Sequence, residues 1–405
     1  MRILMVADGR SPNTRRWLSS LLQLGYEVRL ISSYPCSRPP GVTDFEVIPL
    51  AFSQLAGHDL TSPSGKTKKI SSRDLLRRMV TRFRPLFLAG RYLMGPLSLQ
   101  RQAKRFVHKV EENPPDLVHA LRIPYEGMLA AYTPKSIPFA VSIWGNDLTL
   151  HGKGSAWMTS MTMRCLVRAD ALIADTRRDI RLGYLWGFST LRPTLVAPGS
   201  GGIDLSEINQ ARPSPSNNMG VSLPAGVPLI VNPRGSRPGS VRNDVFFQAI
   251  PLVLRQKPEA FFVCPSMDGQ PEALRWIKRL GINNQVRLMP LLPQEQLWEL
   301  FLHAQVFASP SQHDGTPNSL LEAMSCGCFP IAGDIESLRE WITPGVNGLL
   351  IDPTSPVALA EAIVTALDAP QLRYRAKEIN AAIIQQRAEA GLVRQSIDTF
   401  YHQVA

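Results

Sequence analysis

The sequence predicts an α/β protein with two doubly wound domains, each built around a parallel sheet. Three observations support this fold class. The chain of 405 residues is longer than a single hydrophobic core requires. It begins with a strand–helix–strand pattern and carries a strand–loop–helix pattern near residue 310. Its hydrophobic content of 44% and charged content of 19% are those of an ordinary globular protein.

The N-terminal segment predicts a βαβ unit. The apolar run Ile3–Ala7 is typical of a buried parallel strand. Thr14 is the expected N-cap of a helix that ends at Gly25, and Glu27–Ile31 is the expected second strand. Because the glycine pattern of dinucleotide-binding proteins is absent from the first loop, the unit does not predict a dinucleotide site.

Later apolar runs predict further strands in the N-terminal half, at residues 115–120, 139–143 and 169–175. In doubly wound sheets ligands bind beyond the carboxyl ends of strands. Asp147, which follows the second of these runs, is therefore a candidate site residue. His119, at the end of the first run, is either a site residue or a buried structural histidine.

Residues 206–226 are rich in Ser, Pro, Asn and Gly, which is typical of a linker between domains. We therefore expect an N-terminal domain over 1–205 and a C-terminal domain over 227–385. Residues 386–405 are expected to form a C-terminal helix. By analogy with the fold, this helix crosses back to the first domain.

The segment His313–Met324 predicts a polar loop followed by a helix N-terminus, after a short buried strand. Unpaired backbone amides at Asn318 and Ser319 would suit a phosphate group. Glu322, one turn further along the helix, is placed to accept hydrogen bonds from sugar hydroxyls. The alternative is that Asp314 only caps the helix and that Glu322 is a solvated helix residue.

About forty residues from Asp314 to Leu350 resemble the signature of retaining GT-B glycosyltransferases of family 4. Asp314 and Glu322 match its two acidic residues in an E-x7-E spacing, although the family usually has Glu at the first position. The segment Leu24–Val28 (LGYEV) also matches the family pattern. The resemblance implies two Rossmann-like domains that face each other across a cleft.

The resemblance also implies a role for each matching residue. At the donor diphosphate it places Arg234, Arg242, Asn318 and Ser319, with Arg237 competing for the place of Arg242. At the sugar and ribose it places Asp314, Gly315, Thr316 and Glu322, and at the base Leu291. On the acceptor side it places Asn13, Thr14 and Asp147, and the catalytic candidates are Asp314 and Asp147. Guanidinium groups suit phosphate oxygens, so neither a metal nor a cofactor is expected.

Two positions depart from the family pattern. The first loop carries Ser11–Thr14 in place of a double glycine, which leaves the substrate contacts of this loop open. Trp144 stands where many relatives have a histidine near the reacting sugar. His151 is a candidate for that role, and the sequence does not decide whether His151 or another residue takes it.

The formal charge of +11 is concentrated in residues 61–110, an insertion that holds 13 Lys or Arg and one acidic residue. Apolar residues at helical spacing lie between these cations. We expect this insertion to bind an anionic membrane surface, with a solvated helix face as the alternative. Nucleic acid is not expected as a partner, because no recognised nucleic-acid-binding module accompanies the charge.

The resemblance implies transfer of a sugar from a UDP- or GDP-linked donor to a glycan or lipid-linked acceptor in the synthesis of cell-envelope polysaccharide or glycolipid. The alternatives are a nucleotide-sugar epimerase and a catalytically inactive GT-B binding protein. The five Cys form no CxxC pair, which fits a reducing cytosol. No apolar run is long enough to span a bilayer, so we expect a cytoplasmic protein, peripheral on the inner face of the membrane.

Overall fold

A computed structural model describes residues 1–51, 53, 84–211, 223, 224 and 226–405, and within it the side chains of 84–89 are not described. The chain forms two compact units. The first unit consists of Met1–Val196 together with Arg394–Ala405, and the second unit is Ala197–Val393. Among the described residues, no helix is both long and apolar enough to cross a bilayer.

The first unit is built on a seven-stranded parallel sheet with the order β3-β2-β1-β4-β5-β6-β7. Its strands are β1 Arg2–Ala7, β2 Glu27–Ser32, β3 Asp44–Val47, β4 Leu117–Ala120, β5 Phe139–Ile143, β6 Ala171–Ala174 and β7 Thr194–Val196. The chain runs outward from β1 in one direction and then, through β4, in the other. The strands predicted at residues 115–120, 139–143 and 169–175 are thereby confirmed.

Helices cover both faces of this sheet, as continuous apolar strands require. They are Pro12–Gln23, Arg84–Glu112, Met128–Ala130, Ala156–Arg168 and Arg177–Leu185, with π-helical turns at Ile123–Gly127 and Asp147–His151. The core contains large side chains that are fully buried, among them Phe106, Phe139 and Leu4.

The second unit is built on a six-stranded parallel sheet with the order β10-β9-β8-β11-β12-β13. Its strands are β8 Leu229–Val231, β9 Phe261–Cys264, β10 Val286–Leu288, β11 Val306–Ser309, β12 Phe329–Gly333 and β13 Leu349–Ile351. Its helices are Leu205–Gln210, Asn243–Leu254, Pro271–Leu280, Gln294–His303, Asn318–Cys326, Glu336–Arg339, Pro356–Asp368 and Pro370–Arg387, and the chain ends with the helix Ala390–Val404. The predicted fold class, two Rossmann-like domains with parallel sheets, is confirmed.

One prediction about a helix was wrong. The first helix begins at Pro12 with Ser11 as its N-cap, so Thr14 is inside the helix and its hydroxyl is buried. Pro12 explains the shift, because proline at the first helical position loses no hydrogen bond. The apolar stretch before Arg101 belongs to one helix, Arg84–Glu112, that contains Pro96. The part of the basic insertion before residue 84 lies outside the described residues.

A buried polar network joins the last helix to the sheet of the first unit. The indole Nε1 of Trp17 donates to the Tyr401 hydroxyl at 3.0 Å, and that hydroxyl lies 2.5 Å from Nδ1 of His119. Nε2 of His119 lies 2.8 Å from the Ser142 hydroxyl. Burial lowers the pKa of His119 to about 3, so the ring is neutral. Of the two roles considered for His119, the structural role is confirmed.

Candidate functional site

The strand order of the second unit brings two loops together, one carrying an arginine and the other a carboxylate. Strands β8 and β11 are neighbours, so the loops at their carboxyl ends lie side by side. Arg234 follows β8, and Asp314 follows β11. Their Nη2 and Oδ2 atoms form an ion pair at 2.5 Å. The Ser311 hydroxyl donates to the same carboxylate oxygen at 3.1 Å.

Backbone hydrogen bonds hold the arginine-bearing loop in place. The amide of Arg242 donates to the Pro310 carbonyl at 3.0 Å, and the amide of Gln312 donates to the Ser240 carbonyl at 2.8 Å. Val241 and Ser311 form an antiparallel bridge between these two bonds. The loop is therefore fixed on the strand–loop–helix segment, and the guanidinium groups it carries have a defined position.

Arg234 lies against the N-terminus of the helix Asn318–Cys326. Its side chain is only 6% exposed, and Nη1 lies 3.4 Å from the Ser319 hydroxyl. Its Nε is buried and has no hydrogen-bond partner among the described residues. The first helical hydrogen bond runs from Leu320 N to Pro317 O, so the amides of Asn318 and Ser319 precede it. The Arg234 guanidinium and the N-terminus of this helix together form a positively charged site that suits an anion.

The two candidates for the second phosphate ligand differ in their surroundings. Arg242 binds Asp244 with two hydrogen bonds, at 2.8 and 2.6 Å, and heads the helix Asn243–Leu254. Arg237 instead donates from Nε to the Arg234 carbonyl at 3.1 Å. The nearby Arg234 charge lowers the pKa of Arg237 to about 10, although Arg237 as a whole is an exposed residue. Arg237 is therefore the candidate that contacts Arg234, whereas Arg242 contacts Asp244, and the choice of the second phosphate ligand stays a prediction.

Neither alternative role, Asp314 as a helix cap or Glu322 as a solvated residue, agrees with the structure. The N-cap of the helix is Pro317, so Asp314 does not cap it. Glu322 is 3% exposed and lies on the buried side of its helix, so it is not a solvated residue. Gly315 and Thr316 are buried between them, and the Thr316 hydroxyl accepts a hydrogen bond from the Trp341 indole at 3.0 Å.

Three residues near Asp314 were not predicted from the sequence. They are Ser311, Ser337 and Trp341. The Ser337 hydroxyl donates to the Asp314 carbonyl at 2.8 Å, and so fixes the backbone beneath the carboxylate. Ser311 precedes Asp314 closely enough to be suspected, but Ser337 and Trp341 are distant in sequence and carry no local motif. Leu291, the base candidate, is 56% exposed in the loop after β10.

In the first unit Asp147 occupies a different environment from the one predicted. Its side chain is fully buried. One carboxylate oxygen accepts from Arg122 at 2.8 Å, and the other accepts from the amides of Ile123 at 3.1 Å and Trp144 at 3.2 Å. These donors fix the two loops that follow β4 and β5. The geometry supports a positioning role for Asp147, and its place near the acceptor or the reacting carbon stays a prediction.

The remaining acceptor-side candidates lie in the same unit. Asn13 is half-buried at the start of the first helix, while Thr14 is fully buried, and its hydroxyl has no partner among the described residues. Trp144 is half-buried. His151 lies 2.7 Å from the Tyr92 hydroxyl, and burial, with help from nearby arginine charges, lowers its pKa to about 3. The His151 ring is therefore neutral. It does not supply a cationic histidine in place of the one that many relatives have at the position of Trp144.

Metal-binding geometry is missing from the part of the chain that the structure describes. Nowhere in residues 1–51, 84–211 or 226–405 do three His, Cys, Asp or Glu side chains gather closely enough to hold an ion. The positive charge near Asp314 comes from arginine side chains and from helix amides.

Comparison with known proteins agrees with this architecture. Residues 226–382 match the family model described as glycosyl transferases group 1. A D-inositol 3-phosphate glycosyltransferase of Thermobispora bispora is 29% identical over 238 residues, which cover 55% of this chain and 53% of the relative. A protein of the same name from Thermomonospora curvata is 30% identical over 229 residues, 51% of each chain. The chain thus spans about half the length of the curated relatives it matches.

Solved structures match the whole chain in fold. The structure of Anabaena HepE in complex with UDP has a TM-score of 0.70 at 17% identity and covers 100% of both chains. Sucrose-phosphate synthase from Thermosynechococcus elongatus also has a TM-score of 0.70, at 15% identity, covering 100% of this chain and 98% of that one. These structures show that the chain has the GT-B fold, and residues 226–382 are similar to the glycosyl transferases group 1.

Proposed function

We propose that this protein transfers a sugar, with retention of anomeric configuration, from a UDP- or GDP-linked donor to a glycan or lipid-linked acceptor. One observation carries the proposal. The buried Arg234 reaches both Asp314 and the N-terminus of the helix Asn318–Cys326. This arrangement brings together a cationic place for a diphosphate and a carboxylate for a sugar. Anabaena HepE, which shares the fold, has been crystallised with UDP and with UDP-glucose.

The chemistry requires positive charge where the diphosphate leaves. Breaking the glycosidic bond to a nucleoside diphosphate places negative charge on the leaving oxygens. Arg234, Arg237 and the amides of Asn318 and Ser319 would bind that charge in fixed positions, which costs no reorganisation during the reaction. A metal is not needed in this account, because guanidinium groups and helix amides do the same electrostatic work.

The two acidic residues would divide the remaining contacts. Asp314, 15% exposed and held by Ser311 and Arg234, would bind sugar hydroxyls or stabilise the cationic sugar in the transition state. Glu322, one helical turn beyond Asn318, would bind the ribose. Leu291 stays the proposed contact of the base. We assign no protein nucleophile.

Nucleotide binding is the first test. Titration calorimetry with UDP and GDP should show binding of one of them to the full chain. Arg234→Met should weaken it by about a hundredfold, because a buried charge-assisted contact is lost. Arg255→Met, an exposed arginine at the end of the helix Asn243–Leu254, is the matched control and should bind as the wild type does. If neither UDP nor GDP binds, the proposal is contradicted.

Turnover separates the proposed transferase from its alternatives. A panel of UDP- and GDP-sugars, followed by NMR, should show slow hydrolysis to a sugar with the anomeric configuration of the donor. An inactive binding protein would bind the nucleotide without hydrolysis. An epimerase would return a nucleotide sugar of changed configuration.

We also propose peripheral attachment to an anionic membrane through the basic insertion. Three apolar side chains of the helix Arg84–Glu112 are exposed: Leu93 at 60%, Met94 at 51% and Leu97 at 36%. Exposed cations follow them on the same helix, at Arg101, Lys104 and Arg105. Apolar groups at the interface and cations on headgroups favour such binding.

Co-sedimentation with vesicles containing anionic lipid tests this attachment. The double substitution Leu93→Ser and Leu97→Ser should reduce binding severalfold. Leu274→Ser, which is also exposed but lies in the second unit, is the control. Equal binding by both variants would contradict membrane attachment through this helix.

A further inference from the structure

We propose that Asn232 and Asn243 form an asparagine pair that positions Arg234 for the donor diphosphate. The proposal rests on the proposed function and deepens it, because Arg234 is the cation on which that function depends. It gives a role to two residues that the proposed function does not use. Both act through Arg234 and are positioning residues.

The asparagine pair closes the arginine-bearing loop at its base. Asn232 directly follows the strand β8, and Asn243 is the first residue of the helix Asn243–Leu254. Nδ2 of Asn232 donates to Oδ1 of Asn243 at 3.2 Å. The loop 233–242, which contains Arg234, therefore begins and ends beside two residues that are bound to each other.

Each member of the pair also holds one peptide group of the turn at Arg234. Oδ1 of Asn232 accepts from the Arg234 amide at 3.2 Å, and Nδ2 of Asn243 donates to the Gly235 carbonyl at 2.8 Å. A backbone amide only donates and a carbonyl only accepts, so these contacts fix which way each side-chain amide faces. Between the two side chains a donor of Asn232 then meets an acceptor of Asn243. The three hydrogen bonds are therefore consistent with one another.

The turn itself has little freedom to relax. Gly235 has φ +62, and a Cβ atom added to it would lie 3.2 Å from Cβ of Ser266. The Arg234 carbonyl accepts from Nε of Arg237 at 3.1 Å, so both peptide groups of Arg234 are bound by side chains. Asn232 is fully buried, and water cannot easily replace the hydrogen bonds that it makes.

Binding of a diphosphate would make this support important. The guanidinium of Arg234 contacts Asp314 and Ser319. A diphosphate at the same place competes with the Asp314 carboxylate for the guanidinium donors, so the backbone end has to keep the side chain in place. Positive charge is most effective where it does not have to move during the reaction. We therefore expect the asparagine pair to act on the affinity for the diphosphate and not on the affinity for the nucleoside.

The experiment compares a nucleoside diphosphate with its nucleoside, each titrated against the full chain by NMR. The probes are UDP and uridine, or GDP and guanosine, according to which diphosphate the wild type binds more tightly. Asn243→Ala should weaken binding of the diphosphate by about tenfold, because a misplaced guanidinium loses contact with phosphate. Affinity for the nucleoside should not change. Asn243→Ser, whose hydroxyl can make one of the two bonds, should lose less.

A double-mutant cycle tests whether the pair acts through Arg234. In the Arg234→Met background, Asn243→Ala should cause no further loss of diphosphate affinity, because the group that it positions is absent. Losses that add would mean that Asn243 acts on the nucleotide in another way, and would overturn the proposal. Asn243 is half-buried, so its loss threatens folding less than the loss of Asn232. Asn232→Ala should behave as Asn243→Ala does where circular dichroism shows that it folds.

Asn380 supplies the control for a general loss of stability. It is also fully buried in the second unit, and it also binds an asparagine. Its Oδ1 accepts from Nδ2 of Asn347 at 2.8 Å, and its Nδ2 donates to the Asn347 carbonyl at 3.0 Å. Asn380→Ser should lower the melting temperature and leave the diphosphate affinity unchanged. An equal loss of diphosphate affinity in this variant would contradict the positioning role, since the effect would then follow from stability alone.

The outcomes separate this proposal from the proposed function. If Arg234→Met weakens diphosphate binding and the variants of the asparagine pair do not, the positioning role alone is refuted. Equal losses of diphosphate and nucleoside affinity in Asn243→Ala would refute it as well. If the wild type binds neither UDP nor GDP, the transferase itself is refuted.

Discussion

The two units each pair an aspartate with an arginine at the carboxyl end of a sheet, but with opposite burial. In the first unit the carboxylate of Asp147 is fully buried and the side chain of Arg122 is 30% exposed. In the second unit the order is reversed, because Arg234 is 6% exposed and Asp314 is 15% exposed. The same ion pair therefore presents its cation outward in one unit and its carboxylate more outward in the other.

This difference indicates which partner of each pair serves a ligand. A buried group that accepts or donates all its hydrogen bonds within the protein is a support, and the partner that it orients is available for binding. Asp147 accepts from three donors, so it supports Arg122. Asp314 accepts from Ser311 and Arg234 at a single oxygen, Oδ2, and is the more exposed partner of its pair.

The largest expected effect is on the stability of the protein, and it distinguishes Asp147 from Asp314. Asp147→Ala leaves the amides of Ile123 and Trp144 buried without an acceptor and Arg122 without its counter-ion. We expect it to lower the free energy of unfolding by about 3–5 kcal/mol. Asp314→Ala should cost less, about 1–3 kcal/mol, because it leaves a guanidinium and a hydroxyl but no backbone amide without an acceptor. Urea unfolding of both variants measures the difference, and equal losses would refute the contrast.

The second prediction separates binding from turnover at Asp314. Asp314→Asn keeps the shape but removes the charge that holds Arg234. We expect the rate of sugar transfer to fall by about a hundredfold, since stabilisation of a cationic sugar is lost. Affinity for UDP or GDP should stay level or rise, because Arg234 is no longer neutralised. A parallel loss of nucleotide affinity would show that Asp314 only supports Arg234.

Hydrophobic patterning was sufficient to predict the sheets and the place of the signature helix. Apolar runs identify parallel strands because both faces of such a sheet are covered. Glu322 follows from helical spacing, since one turn beyond Asn318 places it near the same ligand. The short buried strand expected before His313 is Val306–Ser309 in the structure.

The incomplete site predictions concern side chains whose partners are not determined by the spacing of residues along the chain. Asp147 has a matching position in the family pattern, but its hydrogen bonds come from Arg122 and the amide of Ile123 in another loop, as well as from the amide of Trp144 nearby. The choice between Arg237 and Arg242 depends on Asp244, which binds Arg242 two residues away. Spacing along a loop does not determine where a long side chain points.

The third prediction tests which arginine binds the donor diphosphate together with Arg234. If Arg237 and Arg234 share a diphosphate, Arg237→Met should weaken nucleotide binding by about tenfold, or about 1.4 kcal/mol. Arg242→Met should change it by less than about threefold, because its guanidinium is bound to Asp244. Both variants remove one positive charge from the same loop, so each controls for the other. A larger loss at Arg242 would restore the original assignment.

The smallest expected effect tests whether buried polar groups of the first unit act on stability. Folded His119, with a pKa lowered to about 3, stays neutral, whereas the unfolded chain binds a proton near pH 6.5. Its contribution to stability is therefore complete above pH 6.5 and declines as the pH falls toward 3. Between pH 7.5 and 5.5 this histidine should lower the free energy of unfolding by about 1 kcal/mol.

His119→Asn removes this titration while an amide retains hydrogen-bonding capacity toward Ser142 and Tyr401. The pH dependence of the variant should be shallower than that of the wild type by that amount. Asp179, whose pKa burial raises to about 6, contributes in the opposite direction over the same range. It is present in both proteins, so the difference between them isolates His119. Identical pH dependence, measured by urea unfolding, would mean that the ring is protonated in the folded chain and that the buried network includes a charge.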